Sequence, residues 1–136
     1  LTSIAFHPAD SNIVYVLDTY SPNGYRDYVF KSIDQGQSFT TTNVITNNNN
    51  SSGELKVSPI CPSCVYFASD NGVWKSEDVG VNFTFLSNPT QSHDGFAVSD
   101  VDTNHMIYGY VDFTEVFRYL GCLIEDNLCH QKSPIE

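Results

Sequence analysis

Residues able to do chemistry are present, but their spacing assembles no catalytic set. Splitting a glycosidic bond takes two carboxylates flanking it. Asp94, Asp100, Asp102 and Asp112 are the candidates, and each reads more readily as a loop or turn residue. Gripping an acidic sugar takes a cluster of arginines, and this chain has only Arg26 and Arg118. His7, His93, His105 and His130 do not form a metal-ligand spacing. No G-x-S-x-G nucleophile turn and no glycine-rich phosphate loop occurs. No catalytic residue, metal or cofactor is therefore expected.

The four cysteines fall into two close pairs, Cys61–Cys64 and Cys122–Cys129. Local pairs in even number suggest two short-loop disulfides made in an oxidising compartment. Zinc is the sharper alternative for Cys61-x-x-Cys64, although the wider second pair fits it poorly, and free buried thiols stay open. N-glycosylation patterns begin at Asn49, Asn50 and Asn82, and the first two lie in a polar run that can only be an exposed loop. Cysteines and glycan acceptors agree on an extracellular or secretory-pathway location with N-linked glycan. The most plausible contact surface is the insertion from Tyr20 to Tyr28, where Tyr20, Pro22, Tyr25, Arg26 and Tyr28 combine the residue types that dominate binding hot spots. The same tyrosines could instead pack over the loop itself.

Strand-rich elements must carry these residues. Of 136 residues, 40% are hydrophobic and 13% aromatic, with eight Tyr, nine Phe and a single Met, a composition suited to pleated, half-buried surfaces. Sixteen acidic against six basic residues give a formal charge of −10, which argues against nucleic acid, whose binding needs a basic footprint. No run of about 18 apolar residues offers a transmembrane segment. The chain opens at Leu1 with no leader pattern, and a piece of a longer protein is expected.

One unit recurs. A Pro, Asp, Ser or Asn-rich turn leads to a β run, and a second run ends in an aromatic, a basic residue and Ser. Phe30, Trp74 and Phe117 mark it at intervals of 44 and 43 residues, the range of a four-stranded propeller blade. The expected strands are about 2–6, 13–18, 28–32 and 38–43; then 54–58, 65–69, 72–76 and 82–86; then 95–99, 106–111 and 115–119, with the last unclear. Blades are expected at about 2–43, 53–86 and 94–136. In this alignment Val116-Phe117-Arg118-Tyr119 matches Val29-Phe30-Lys31-Ser32, and Arg118 takes the place of Lys31 and Lys75.

Two turns share the pattern S-x-D-x-G-x-x-F: Ser32, Asp34, Gly36, Phe39 and Ser76, Asp78, Gly80, Phe83. The Asp can accept bonds from turn amides, the Gly can take positive φ, and the Phe returns the chain to the core. Structural tying of the turn is favoured over Ca²⁺ or ligand binding by Asp34 and Asp78. The motif resembles the Asp-box (BNR) repeat of sialidases, xyloglucan-cleaving propeller hydrolases and sortilin-type receptor ectodomains. The resemblance implies an all-β fold of about three blades of four antiparallel strands, part of a larger propeller. His7 to Phe39 looks most like a sortilin-type blade. A non-catalytic binding module for protein or peptide ligands is therefore expected first, a fragment of a secreted glycoside hydrolase second, and a structural glycoprotein assembling with neighbouring chains or blades third. The third unit departs from the motif at Tyr119-Leu120-Gly121-Cys122, where a Cys122–Cys129 bond could hold the turn instead.

Overall fold

The computed structural model describes residues 2–19, 26–47, 53–69, 72–87, 95–103, 105–112, 115–123 and 128–132. These form an all-β chain of three four-stranded antiparallel sheets, each a meander in sequence order. The first holds β1 (Ser3–Phe6), β2 (Val14–Thr19), β3 (Arg26–Ser32) and β4 (Thr40–Asn47). The second holds β5 (Gly53–Val57), β6 (Val65–Ser69), β7 (Gly72–Ser76) and β8 (Thr84–Ser87). The third holds β9 (Gly95–Val98), β10 (His105–Asp112), β11 (Glu115–Leu123) and β12 (Leu128–Lys132).

Cross-strand register fixes two faces on every sheet, because directly opposed residues point the same way. In the first sheet Tyr15 opposes Ala5 and Lys31, and Leu17 opposes Ser3 and Val29. This is the leading face, turned toward the second sheet. Its Tyr15, Leu17 and Val29 form one apolar cluster with Leu55, Val65 and Phe67 from the trailing face of the second sheet. The arrangement repeats one step on: Tyr66, Ala68 and Val73 lead from the second sheet into Phe96 and Met106 of the third. Two apolar faces explain why all five residues of β6 are buried, whereas β1, at the edge of a trailing face that no described sheet covers, alternates between partly buried and exposed. Trp74 ties the second sheet together, stacked on Phe67 at 5.0 Å and edge-on to Phe85 at 5.5 Å.

Polar bonds lock the joints. Tyr15 Oη and Lys31 Nζ both donate to the Val79 carbonyl of the second sheet, at 3.0 and 2.6 Å. Tyr66, the counterpart of Tyr15, donates to the Thr103 carbonyl of the third at 2.9 Å. Burial pushes both phenols up to about 12, so both stay protonated donors across the ordinary pH range. The Leu55 amide donates to Ser3 Oγ at 3.1 Å.

The third sheet corrects the sequence alignment. Lys31 opposes Tyr15 and Lys75 opposes Tyr66, but the matching pair in the third sheet is Ile107 and Gly121. Arg118 instead faces Tyr110, farther along a longer hairpin, and does not take the place of Lys31 and Lys75. Ser32 and Ser76, which oppose Val14 and Val65, have Cys122 as their counterpart, opposite Met106. The long β10–β11 ladder moves the equivalence from Val116–Tyr119 to Tyr119–Cys122. It also reveals the fourth strand, β12, that the sequence left undefined.

Leu17 is fully buried in the joint between the first two sheets, and Ile33 is exposed on a turn. Leu17→Ala is expected to lower stability by about 2–5 kcal/mol in urea unfolding. Ile33→Ala should stay within about 0.5 kcal/mol of the parent.

Candidate functional site

Each sheet has two ends, and they are built differently. One end carries the β1–β2 type turns and the two S-x-D-x-G-x-x-F turns. In the first of these Ser32 Oγ donates to Asp34 Oδ1 at 2.7 Å and accepts from the amides of Asp34 and Gly36. Asp34 accepts the Ser38 amide on one oxygen and the Ser38 hydroxyl on the other, at 2.8 and 2.5 Å. The second turn repeats the network: Ser76 Oγ donates to Asp78 and accepts from the Asp78 and Gly80 amides, while Asp78 accepts from the Val81 and Asn82 amides and from Asn82 Nδ2. Gly36 and Gly80 take φ of 85° and 75°, and the residues before them, Gln35 and Val79, also lie in the left-handed region at 61° and 60°. Each turn is seated on its own sheet's first turn, Gln35 N donating to Asn12 O and Val79 N to Ser63 O.

These bonds set the charges. The Ser38 hydroxyl and amide, then the Ser32 hydroxyl, hold the Asp34 carboxyl down to about 2. The Asn82 amide, with the Ser76 hydroxyl, holds Asp78 below the usual carboxylate range. Both acids are fixed, ionised acceptors inside turns and are not poised to exchange a proton.

Cys61 and Cys64 form a disulfide, with Cα atoms 5.2 Å apart. It closes the β5–β6 turn, where the Cys64 amide also donates to the Cys61 carbonyl. Cys122 and Cys129 are directly opposed on β11 and β12. Asn82, an expected glycan acceptor, uses its side-chain amide on Asp78; Asn49 and Asn50 lie outside the described residues. Beside the second turn, Lys75, Glu77, Asp78, Asn82, Thr84 and Leu86 line a shallow cleft of about 360 Å³. Lys75 donates to Glu77 at 2.7 Å and lies 5.8 Å from the Tyr66 ring centre. The cleft thus presents a neutralised ion pair and no nucleophile.

The other end of the sheets is set by the strand ends Thr19 and Arg26, Asn47 and Gly53, Ser69 and Gly72, and Asp112 and Glu115. Two of the expected contact residues, Arg26 and Tyr28, belong here. Arg26 begins β3, and Tyr28 follows, half-buried with its ring 6.1 Å from Phe30. Tyr20, Pro22 and Tyr25 lie outside the described residues, as do Asp94 and His93. Asp112 and Glu115 oppose each other across β10 and β11 at this same end, a pairing that the sequence alone did not single out. Asp102 belongs to the turn end instead, 2.6 Å from His105 Nδ1, and Asp100 is exposed there. Among the described residues no group of three or more His, Cys, Asp or Glu gathers to hold a metal.

Stability should respond to acid through the two turns. Both carboxyls are depressed in the folded chain, so their contribution is complete above about pH 4 and is lost as pH falls through about 2 for Asp34 and lower still for Asp78. Urea midpoints measured from pH 6 to 2 should fall in this window, and Asp34→Asn with Asp78→Asn should flatten the fall. Ser76→Ala strips the buried Gly80 amide of its acceptor and is expected to cost about 1–3 kcal/mol at neutral pH.

No protein-family model matches the sequence, and no curated protein matches it. Solved structures do match in shape. An ancestral GH74 enzyme is similar at TM-score 0.72 with 20% identity, over 96% of this chain and 20% of that one. A GH74 enzyme from Niastella koreensis gives 0.67 with 20% identity, over 97% and 22%. A GH74 xyloglucanase from Xanthomonas campestris gives 0.65 with 16% identity, over 86% and 21%. The chain spans about a fifth of the length of these structures. The three stacked meanders are β-propeller blades.

Proposed function

We propose that this chain is part of a secreted, polysaccharide-cleaving β-propeller, to which it contributes scaffold and one stretch of a sugar-binding edge. The observation that carries this reading is the match of nearly the whole chain to GH74 enzymes, one of them a xyloglucanase. It favours the hydrolase alternative over the peptide-binding module expected first. The two serine–aspartate turns are read as Asp-box repeats that seal one end of the blades. The opposite end is then the working end, with Arg26, Tyr28, Asp112 and Glu115 at its strand termini. Aromatic residues suit the apolar faces of sugar rings, and carboxylates suit their hydroxyls. The Cys61–Cys64 disulfide supports an oxidising, extracellular setting, and Asn49 and Asn50 are the proposed glycan carriers.

The described carboxylates are mostly engaged in turns and pairs: Asp34 and Asp78 in the turns, Glu77 with Lys75, Glu54 with Lys56, Asp102 with His105. Binding is therefore the activity to measure on this chain. In native gels cast with xyloglucan its mobility should fall, against unchanged mobility in gels cast with dextran or with no polysaccharide. Equal mobility in all three gels sinks the sugar-binding reading.

A further inference from the structure

The first turn of each sheet closes through the same backbone bonds, and each sheet clasps it with different side-chain chemistry. The amides of Ile13, Cys64 and His105 donate to the carbonyls of Asp10, Cys61 and Asp102, at 3.1, 2.8 and 3.2 Å. The carbonyls of those same three residues accept from the amides of His7, Ser58 and Ser99. In the first sheet the clasp is Asp10, whose Oδ1 accepts both the backbone and the side-chain amide of Asn12 at 2.9 Å. In the third it is the Asp102–His105 pair, at the same two positions as the cysteines. In the second it is the Cys61–Cys64 disulfide, and neither position holds a carboxylate. Two sheets thus close this turn without sulfur. Each clasp also holds an acceptor. Asn12 and Ser63 occupy matching positions, and their carbonyls accept the amides of Gln35 and Val79 at 2.9 and 3.0 Å. Cys61 Sγ lies 3.4 Å from Ser63 Oγ. Val79 has a φ of 60°, a left-handed backbone that its branched side chain resists. Its carbonyl is the one that takes Tyr15 and Lys31 of the first sheet. A loosened Ser63 lets Val79 relax, and that turns its carbonyl away from both donors.

We propose that the Cys61–Cys64 disulfide is a redox-sensitive clasp that sets how tightly the first sheet is held to the second. Cys61 is partly buried and Cys64 is 4% exposed, so an attacking thiolate reaches Cys61 Sγ first. The co-reactant is an external dithiol. One of its thiolates bonds to Cys61 Sγ, the S–S bond breaks, and Cys64 leaves with the electron pair and takes up a proton. The second thiolate of the dithiol then attacks its own bound sulfur and releases Cys61, which also takes up a proton. The protein gains two electrons and two protons, and the dithiol departs as a cyclic disulfide. The reduced turn keeps its backbone bonds and loses its clasp, because a thiol is a weak acceptor where Asp10 offers a carboxylate. The effect belongs to the first joint. At the second, Tyr66 donates to Thr103, inside the turn clasped by Asp102 and His105. Nothing in this device depends on the hydrolase reading.

The test is amide hydrogen exchange, followed residue by residue on the oxidised chain and on the chain held in dithiothreitol. Reduction should speed exchange by at least about tenfold at Val79, whose acceptor is Ser63, and at Leu55, whose acceptor is Ser3 across the joint. Gln35, the counterpart of Val79 in the first sheet, should not change. Cys61→Ala with Cys64→Ala should exchange fast at Val79 and Leu55 with or without dithiothreitol. That variant keeps Cys122 and Cys129, so a lost response assigns the effect to the clasp. Cys61→Asp with Ser63→Asn and Cys64→Ile installs the first sheet's own residues, and should restore slow exchange that dithiothreitol leaves untouched. Unchanged exchange at Val79 on reduction overturns the proposal, as does a change at Val79 that does not reach Leu55. Equal acceleration at Gln35 overturns it too, because it marks general loosening of the chain. So does a response to dithiothreitol that survives in the alanine variant. None of these readouts involves polysaccharide, so a failure here is distinguishable from a failure in the xyloglucan gel.

Discussion

A four-stranded meander with apolar side chains on both faces cannot stand alone in water, and here that requirement is met by stacking. Leu17 and Val29 of one sheet and Phe67 and Leu55 of the next each lose their water only because the other is present. The hydrophobic term is nondirectional, so it does not by itself fix how one sheet sits on another. The bonds from Tyr15 and Lys31 to the Val79 carbonyl supply that registration. The carbonyl is available because Val79 accepts a left-handed backbone, and it does so inside a turn whose amides are gathered by Ser76 and Asp78. Turn chemistry and blade packing are thus one structure. The same network that closes a hairpin aims an acceptor at the neighbour.

What the sequence made legible follows from distance along the chain. The two S-x-D-x-G-x-x-F turns were readable because every group in them lies within eight residues, and local hydrogen bonding dictates residue type position by position. The Cys61–Cys64 pair was readable for the same reason. The joints were not: Tyr15 and Val79 are 64 residues apart, and nothing in either segment names the other. The third blade was misaligned because it lacks the local punctuation. Without Ser, Asp and Gly at the motif positions of its turn, an aromatic–basic pair at Phe117-Arg118 stood in for the true counterpart, Leu120-Gly121, and only the ladder from His105 to Leu123 corrected it.

The candidate site was less legible than the fold, and for a physical reason. Strand and turn residues answer to the backbone and to one another, so their types repeat from blade to blade. Residues at the opposite end, among them Arg26, Asp112 and Glu115, belong to no repeated turn network, and their types do not repeat from blade to blade. Asp112 and Glu115 came together through antiparallel pairing, which no spacing rule singled out. Asn82 belongs to both a glycan-acceptor pattern and the turn network, where its side-chain amide donates to Asp78.

The apolar joint from leading face to trailing face recurs between both pairs of neighbouring sheets, while its tyrosine finds a different carbonyl in each, Val79 in one and Thr103 in the other. Inserting one sheet would split a single apolar joint into two, and deleting one would bring two apolar faces together. Such a change keeps the apolar character of the joint and asks only the tyrosine hydroxyl to find a new acceptor. A blade with an altered hook, as Ile107 and Gly121 make the third one, escapes that interchangeability and marks a fixed address in an otherwise uniform stack.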